Sequence, residues 1–327
     1  MKFNIPYAEE DDLIENGNIS EETAIKIAED DKITWADLAP ATNFLREKFH
    51  SDKIFTCSIL NAKSGHCPEN CAFCAQSVHH ETGVKIYPLV SYDKLVESGL
   101  RNAEQNATQY SFVTAGHSVT EKELEIICKA ARALKEKTDL ALCGSLGMLT
   151  EEKAKMLVEA GVERFHHNLE TAPSYFSEIC STHTLEEDYK TIEIASAAGM
   201  KICCGGIIGL GESWKQRTEL AFTLKKMKVD SIPLNFLNPI KGTRLENQKL
   251  LSAEEALKTI ALFRLINPQT PIGIAGGREL ILGEKQEELF RAGANGIMIG
   301  NYLTTSGRAI SNDNKMIKKL ELNYEKI

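Results

Sequence analysis

From residue 54 onward the chain keeps one rhythm: short apolar, β-branched runs alternate with amphipathic stretches. The runs are IFTCSIL (54–60), YSFVTA (110–115), LALCGSL (140–146), ERFHHNL (163–169), KICCGGII (201–208), SIPLNFL (231–237), PIGIAG (271–276) and GIMIG (296–300). Between them lie helical patterns such as YDKLVESGLRNAEQN, EKELEIICKAARALKEK, EEKAKMLVEAG, WKQRTELAFTLKKMK and AEEALKTIALFRLIN. Thr120, Thr150 and Ser252, each followed by acidic residues, mark helix starts. Eight such strands alternating with helices over roughly 270 residues predict an α/β fold, a (β/α)8 TIM barrel. An open doubly wound sheet is the runner-up. Residues 1–50 show helical spacing in TAIKIAED and WADLAPATNFLREKF, which predicts an N-terminal helical cap. No linker divides the rest, so 51–327 reads as one barrel domain with a C-terminal tail.

In such a barrel, function gathers where strands end and loops begin. The chemically unusual segments fall there: Cys67–Cys74 after the first run, Asn168 and Glu170 after the fourth, Gly205–Glu212 at the fifth, Asn235–Asn238 at the sixth and Gly276–Gly277 at the seventh.

The formal net charge is −8, without a long run of one sign, so nucleic acid is not an expected partner. The start, MKFNIPYAEEDDLIENG, lacks the basic and apolar regions of a signal peptide, and no apolar run is long enough to span a membrane. The expected location is the cytoplasm. There the nine cysteines are not a disulfide framework but metal ligands or small buried residues.

The sharpest local signal is SGHCPENCAFCAQS (64–77), with Cys67-x3-Cys71-x2-Cys74. Thiolates at this spacing can wrap one 4Fe–4S cluster. Three ligands on four irons leave one iron open, whereas a closed structural site takes four. The open iron can bind the amino and carboxylate groups of S-adenosylmethionine (SAM), whose reductive cleavage gives a 5′-deoxyadenosyl radical. The alternative is a zinc site with a distant fourth ligand. Zinc more often uses paired Cys-x2-Cys units, and Phe73 before the last cysteine fits the cluster reading.

The same segment closely resembles the cluster motif of biotin synthases, radical SAM enzymes that insert sulfur between two unactivated carbons of dethiobiotin. So do HHNLET (166–171), CCGGIIGLGE (203–212), IPLNFLNPIKGT (232–243), AGGRE (275–279) and YLTTSG (302–307), in matching order over most of 50–310. The resemblance implies that Cys67, Cys71 and Cys74 hold the 4Fe–4S cluster. It implies SAM contacts from Phe73, Ala115, Asn168, Glu170, Gly205 and Gly206. It implies dethiobiotin contacts from Asn168, Asn235, Thr304 and Thr305, Asn235 at the ureido ring and the threonines at the carboxylate. It further implies a flavodoxin or ferredoxin as electron donor and a homodimer. Other radical SAM enzymes of the subgroup, a hydrogenase-cofactor maturase or a methylornithine-type mutase, are the alternative activities.

The usual family member carries an auxiliary 2Fe–2S cluster on three cysteines and an arginine. Here Cys143 and Cys203 match, Ser111 replaces the third cysteine and Gly273 replaces the arginine. Cys57, on the first run, is a replacement thiolate. Cys57, Cys143 and Cys203 are expected to converge on an auxiliary cluster of 4Fe type with an extra sulfide, in room left by the missing arginine. Adjacent residues of a strand face opposite ways, so Cys203 is the ligand candidate and Cys204 a packed residue. Cys128 reads as helix core and Cys180 as a buried loop residue. His166 replaces a usual asparagine. Asp188 replaces an arginine that often meets the SAM carboxylate, with Lys190 as one possible substitute.

Overall fold

The computed structural model describes residues 5–7 and 19–327. The parts of the expected N-terminal cap at 1–4 and 8–18 lie outside the described residues. Among the described residues ten strands form: β1 (Lys53–Lys63), β2 (Gln109–Thr114), β3 (Ala141–Ser145), β4 (Arg164–His166), β5 (Lys201–Cys203), β6 (Gly206–Ile208), β7 (Ile232–Phe236), β8 (Ile272–Ile274), β9 (Gly296–Met298) and β10 (Asn323–Tyr324). All nine pairings in the main sheet and at β10 are parallel, in the order β5-β4-β3-β2-β1-β9-β8-β7-β6, with β10 on β1.

β5 and β6 are two halves of one barrel strand. A bridge joins Cys203 to Ser231, just before β7, and another joins Glu170, just after β4, to Gly206. The sheet therefore closes on itself as a (β/α)8 barrel. The break falls at Cys204–Gly205, inside the single run expected at 201–208. Pro233 is the reason: a Cβ on Gly205 would sit 1.9 Å from the Pro233 carbonyl oxygen, so the two strands touch backbone to backbone there.

Helices follow the strands on the outside. The side chains of Thr120, Thr150 and Ser252 accept from the backbone N–H of Glu123, Lys153 and Glu255, capping three of them. Their apolar stripes pack on the outward faces of the strands and leave the inward faces to a central cavity. The helix Trp35–His50 packs against Ala253–Ile266 and against the short helix Glu288–Arg291, where its Thr42 donates to the Arg291 carbonyl. Among the described residues no helix is long and apolar enough to cross a membrane.

Candidate active site: a thiol-floored barrel cavity

A cavity of about 320 Å3 runs down the barrel axis. Period-2 alternation decides what faces it. β1 presents Phe55, Cys57 and Ile59; β2 presents Gln109, Ser111 and Val113; β3 presents Cys143 and Ser145. From the fourth barrel position come His166, Asn168 and Glu170, and from the fifth Cys203. Cys204 points the other way and is fully buried among apolar side chains. Cys128 packs on its helix, its thiol directed at the Met156 carbonyl.

At the floor Cys57, Cys143 and Cys203 share the cavity with Ser111, His166, Ser231 and Gly273. Ser111 stands in register with Cys143, and His166 with Cys203. Burial pushes the Cys57 thiol up, and the charges of Cys143 and Cys203 push the same way. Burial likewise raises Cys143, to about 12, with Cys203 adding to it. Burial also opposes a thiolate at Cys203, yet His166 Nδ1 lies 3.3 Å from its sulfur and the net direction is down. Arg164, fully buried and donating to Ser231, brings further positive charge to all three sulfurs. Ser111 Oγ and Gln109 Nε2 are buried here without a hydrogen-bond partner. A buried polar atom left unpaired is costly, so three thiols ringed by orphaned polar atoms fit a bound inorganic group better than a dry core.

Sequence reasoning expected Gly273 to leave room at this floor. The structure gives much of that room to Phe55, whose ring would lie 2.7 Å from a Cβ on Gly273 and 2.2 Å from one on Gly296.

The loop with Cys67, Cys71 and Cys74 closes the other end, and Cys74 and Phe73 line the cavity while Cys67 and Cys71 do not. The loop is held by backbone bonds: Cys67 N–H to Gln76 O, Val78 N–H to Cys67 O and Cys74 N–H to Cys71 O. Burial raises the Cys67 thiol, and raises Cys74 to about 11. Cys71 is raised first by a contact with the Cys180 thiol and then by burial. Iron binding must therefore displace protons from all three. The donor set, three soft sulfurs on one short loop of which Cys74 reaches the cavity, suits a 4Fe–4S cluster with one open iron.

Between floor and loop, Asn168 and Glu170 line the wall, and Asn168 donates to Glu170 (3.3 Å) and accepts from Gly205 N–H. Glu170 has a left-handed backbone, φ 62°, a strained state for a residue with a side chain. Burial raises its carboxyl to about 7. Asn235 lines the cavity too, but its side chain is engaged: Oδ1 accepts from Gly276 N–H (2.9 Å) and Nδ2 donates to Gly206 O. Thr304 and Thr305 line the cavity, in the segment after β9.

Ala115, Gly205 and Gly206 do not line it. The need for glycine at 205 and 206 is met within the protein, since a Cβ on Gly206 would meet Glu170 O at 2.6 Å. Asp188 is buried and hydrogen-bonded to His167 Nε2 (2.7 Å), while Lys190 is exposed. Neither lines the cavity. Gln76, Gln109, Ser231 and Tyr302, which line it, were not singled out by the sequence. Strand parity could have flagged Gln109 and Ser231, whereas Gln76 sits in the turn after Cys74 and has no such signal.

Residues 63–224 match the radical SAM superfamily model, and 233–323 match the biotin and thiamin synthesis associated domain. The biotin synthase of Geotalea daltonii is 50% identical over 324 residues, covering 98% of each chain. That of Geobacter metallireducens is 53% identical over 283 residues, covering 86% of each. Among solved structures, methylornithine synthase superposes with a TM-score of 0.83 at 16% identity, covering 97% of both chains. The FeFe-hydrogenase maturase of Carboxydothermus hydrogenoformans gives 0.81 at 16%, over 96% of this chain and 77% of that one. Those two likenesses, at such low identity, speak for the fold alone. With half of all positions shared along nearly the whole length of curated relatives, the chain belongs to the biotin synthase family of radical SAM enzymes.

Proposed function

We propose that the chain inserts one sulfur atom into dethiobiotin to give biotin, drawing the sulfur from an auxiliary cluster of 4Fe type that carries an extra sulfide. One observation carries this reading: the inward thiols of Cys57, Cys143 and Cys203 floor the same cavity whose other end is Cys74 and whose wall holds Asn168, Glu170, Asn235, Thr304 and Thr305. When bound, the cluster at Cys67, Cys71 and Cys74 supplies the electron for reductive SAM cleavage, and the auxiliary cluster supplies the sulfur.

The chain's own part is placement. The barrel excludes water and holds the reacting groups in line along its axis. Phe73 offers backbone to the adenine, Asn168 and Glu170 offer an amide and a carboxyl to the ribose and substrate, and Asn235 offers the ureido ring its remaining N–H. Thr304 and Thr305 offer hydroxyls to the substrate carboxylate at the cavity wall. Ala115, Gly205 and Gly206 shape the SAM side through backbone. His166 and Arg164 favour the thiolate forms that iron requires. A flavodoxin or ferredoxin as donor, a homodimer, a cytoplasmic location and a separate capping role for residues 1–50 complete the reading.

Anaerobic assay of the iron-loaded chain with SAM and dethiobiotin tests it. Biotin formation, with about two SAM consumed per product, is expected. SAM cleavage without biotin would transfer the assignment to a mutase or maturase substrate. Cys71→Ala should abolish SAM cleavage, and Cys57→Ser should abolish biotin but not SAM cleavage. An iron content of about four or fewer per chain would eliminate a second 4Fe-type cluster.

A further inference from the structure

Cys180 lies far from the barrel floor and outside the three-cysteine loop, yet its sulfur is set in polar surroundings. It stands 3.8 Å from Cys71 Sγ, 3.2 Å from His183 Nδ1 and 3.5 Å from Asn70 Oδ1 and Thr182 Oγ1. Cys128 shows the contrast, a buried thiol on an apolar helix stripe. The donor atoms of Cys71, Cys180 and His183 all lie within 4.8 Å of one another.

We propose that Cys71, Cys180 and His183 form a mononuclear site for one zinc-type divalent cation, occupied before the 4Fe–4S cluster is built. Bond lengths support it. A tetrahedral cation with sulfur at about 2.3 Å and nitrogen at about 2.05 Å sets S···S edges of about 3.8 Å and S···N edges of about 3.6 Å. The observed edges are 3.8 and 3.2 Å. The two thiols need no rearrangement, and the imidazole, whose nitrogen lies within 4.8 Å of both sulfurs, closes the third edge by a shift of the ring.

The scaffold holds this geometry by itself. Ala72 N–H donates to Ile179 O, Asn70 N–H to Thr182 Oγ1 and Ser181 N–H to Asn70 Oδ1. Arg244 donates to both Asn70 O and Ile179 O. The Cys71 loop is thereby sewn to the Cys180 segment across more than a hundred residues of sequence. Two carboxylates complete the surroundings. Glu69 Oε2 is hydrogen-bonded to His183 Nδ1 at 2.7 Å, a bond that a cation on Nδ1 would replace with Glu69 as fourth ligand, and Asp188 Oδ2 lies 3.7 Å from His183 Nε2. A small turn of the ring would bring Nε2–H into hydrogen-bond range of Asp188, and a carboxylate behind a ligating histidine then fixes the tautomer.

Because Cys71 is common to both sites, cation and cluster exclude each other. The site is a checkpoint on cluster loading, and it stands whatever the substrate of the barrel is. Cobalt titration of the full-length, cluster-free chain under anaerobiosis tests it. Wild type should show thiolate-to-cobalt charge-transfer absorption that zinc displaces. Cys180→Ser and His183→Ala should each remove about one cobalt per chain from that signal, weakening the site by more than about tenfold. His183→Cys, which keeps a ligand, should retain it, and Cys128→Ser should match wild type. One zinc per chain should slow iron uptake in wild type but not in Cys180→Ser. An unchanged cobalt signal in a folded Cys180→Ser chain, judged by circular dichroism, would overturn the proposal. So would loss of the same signal in Cys67→Ser, which would put the ion in the three-cysteine loop.

Discussion

The Phe55 ring lies across the backbone of Gly273, 2.7 Å from where a Cβ would stand. Contacts under 3.0 Å force something to move. The position at which the resemblance implies a ligating arginine is thus closed to any side chain while Phe55 keeps its place. Loss of the arginine and the aromatic ring on β1 form one structural unit.

Restoring that arginine alone should therefore harm this chain. Gly273→Arg is expected to cost about 1–3 kcal/mol in unfolding free energy of the cluster-free chain, the usual range for overpacking. Adding Phe55→Ala should recover part of the loss, giving a non-additive double-mutant cycle. Denaturant midpoints of the four proteins measure it. Strict additivity would mean that the two positions do not compete for space.

His166 gives a second test, independent of any cluster. Its Nδ1 sits 3.3 Å from Cys203 Sγ; burial pushes that thiol up, but the imidazole, joined by Arg164 and the Ser231 hydroxyl, brings it below its ordinary range. Substituting the family's usual residue, His166→Asn, removes the cationic form. Alkylation of Cys203 in the cluster-free chain at pH 7 should slow by roughly tenfold, following the thiolate fraction. Peptide mass spectrometry reads the rate, with Cys143 as the internal comparison. Equal rates in the two proteins would refute the coupling.

How far the sequence reached is clear from these residues. The strands, their inward parity and the grouping of Cys57, Cys143 and Cys203 depend on local alternation, which a sequence displays directly. The partnership of Phe55 with Gly273, of His166 with Cys203 and of Cys71 with Cys180 depends on register between segments far apart in the chain. Parallel strands joined through helices carry no turn signal that would set that register. The broken fifth strand was hidden for the same reason, since Gly205 yields to a carbonyl from Pro233, two strands' worth of sequence away.

Glu170 supplies the pH dependence. Burial, helped by the charge of Asp188, lifts its carboxyl from an ordinary 4.5 to about 7, against the opposing pull of His166, Asn168 and His183. A folded-state value above the unfolded one means that the folded chain holds the proton more tightly. The associated stability is full below about pH 4.5 and is lost as pH rises through about 7. Glu170→Gln stays neutral throughout. Between pH 5 and pH 8 it should gain about 2.5 kcal/mol on wild type in the cluster-free state. Urea unfolding at both pH values checks this, and parallel shifts for the two proteins would contradict it.

Asn235 separates a structural duty from a substrate one. Its Oδ1 accepts from Gly276 N–H at 2.9 Å, and its Nδ2 reaches Gly206 O at 3.4 Å, so the amide ties β7 to the chain on both sides. Asn235→Leu leaves a buried N–H unpaired and should cost about 1–3 kcal/mol in stability. Asn235→Asp keeps the acceptor for Gly276 and loses only the donor. Because the ureido contact proposed here uses the remaining N–H of Nδ2, the aspartate variant should keep most of the stability while raising the KM for dethiobiotin by roughly tenfold, about the worth of one hydrogen bond. SAM cleavage measured without dethiobiotin should be unaffected. A stable aspartate variant with unchanged KM would leave Asn235 a clamp between strands and move ureido recognition to other wall residues, Asn168 first among them.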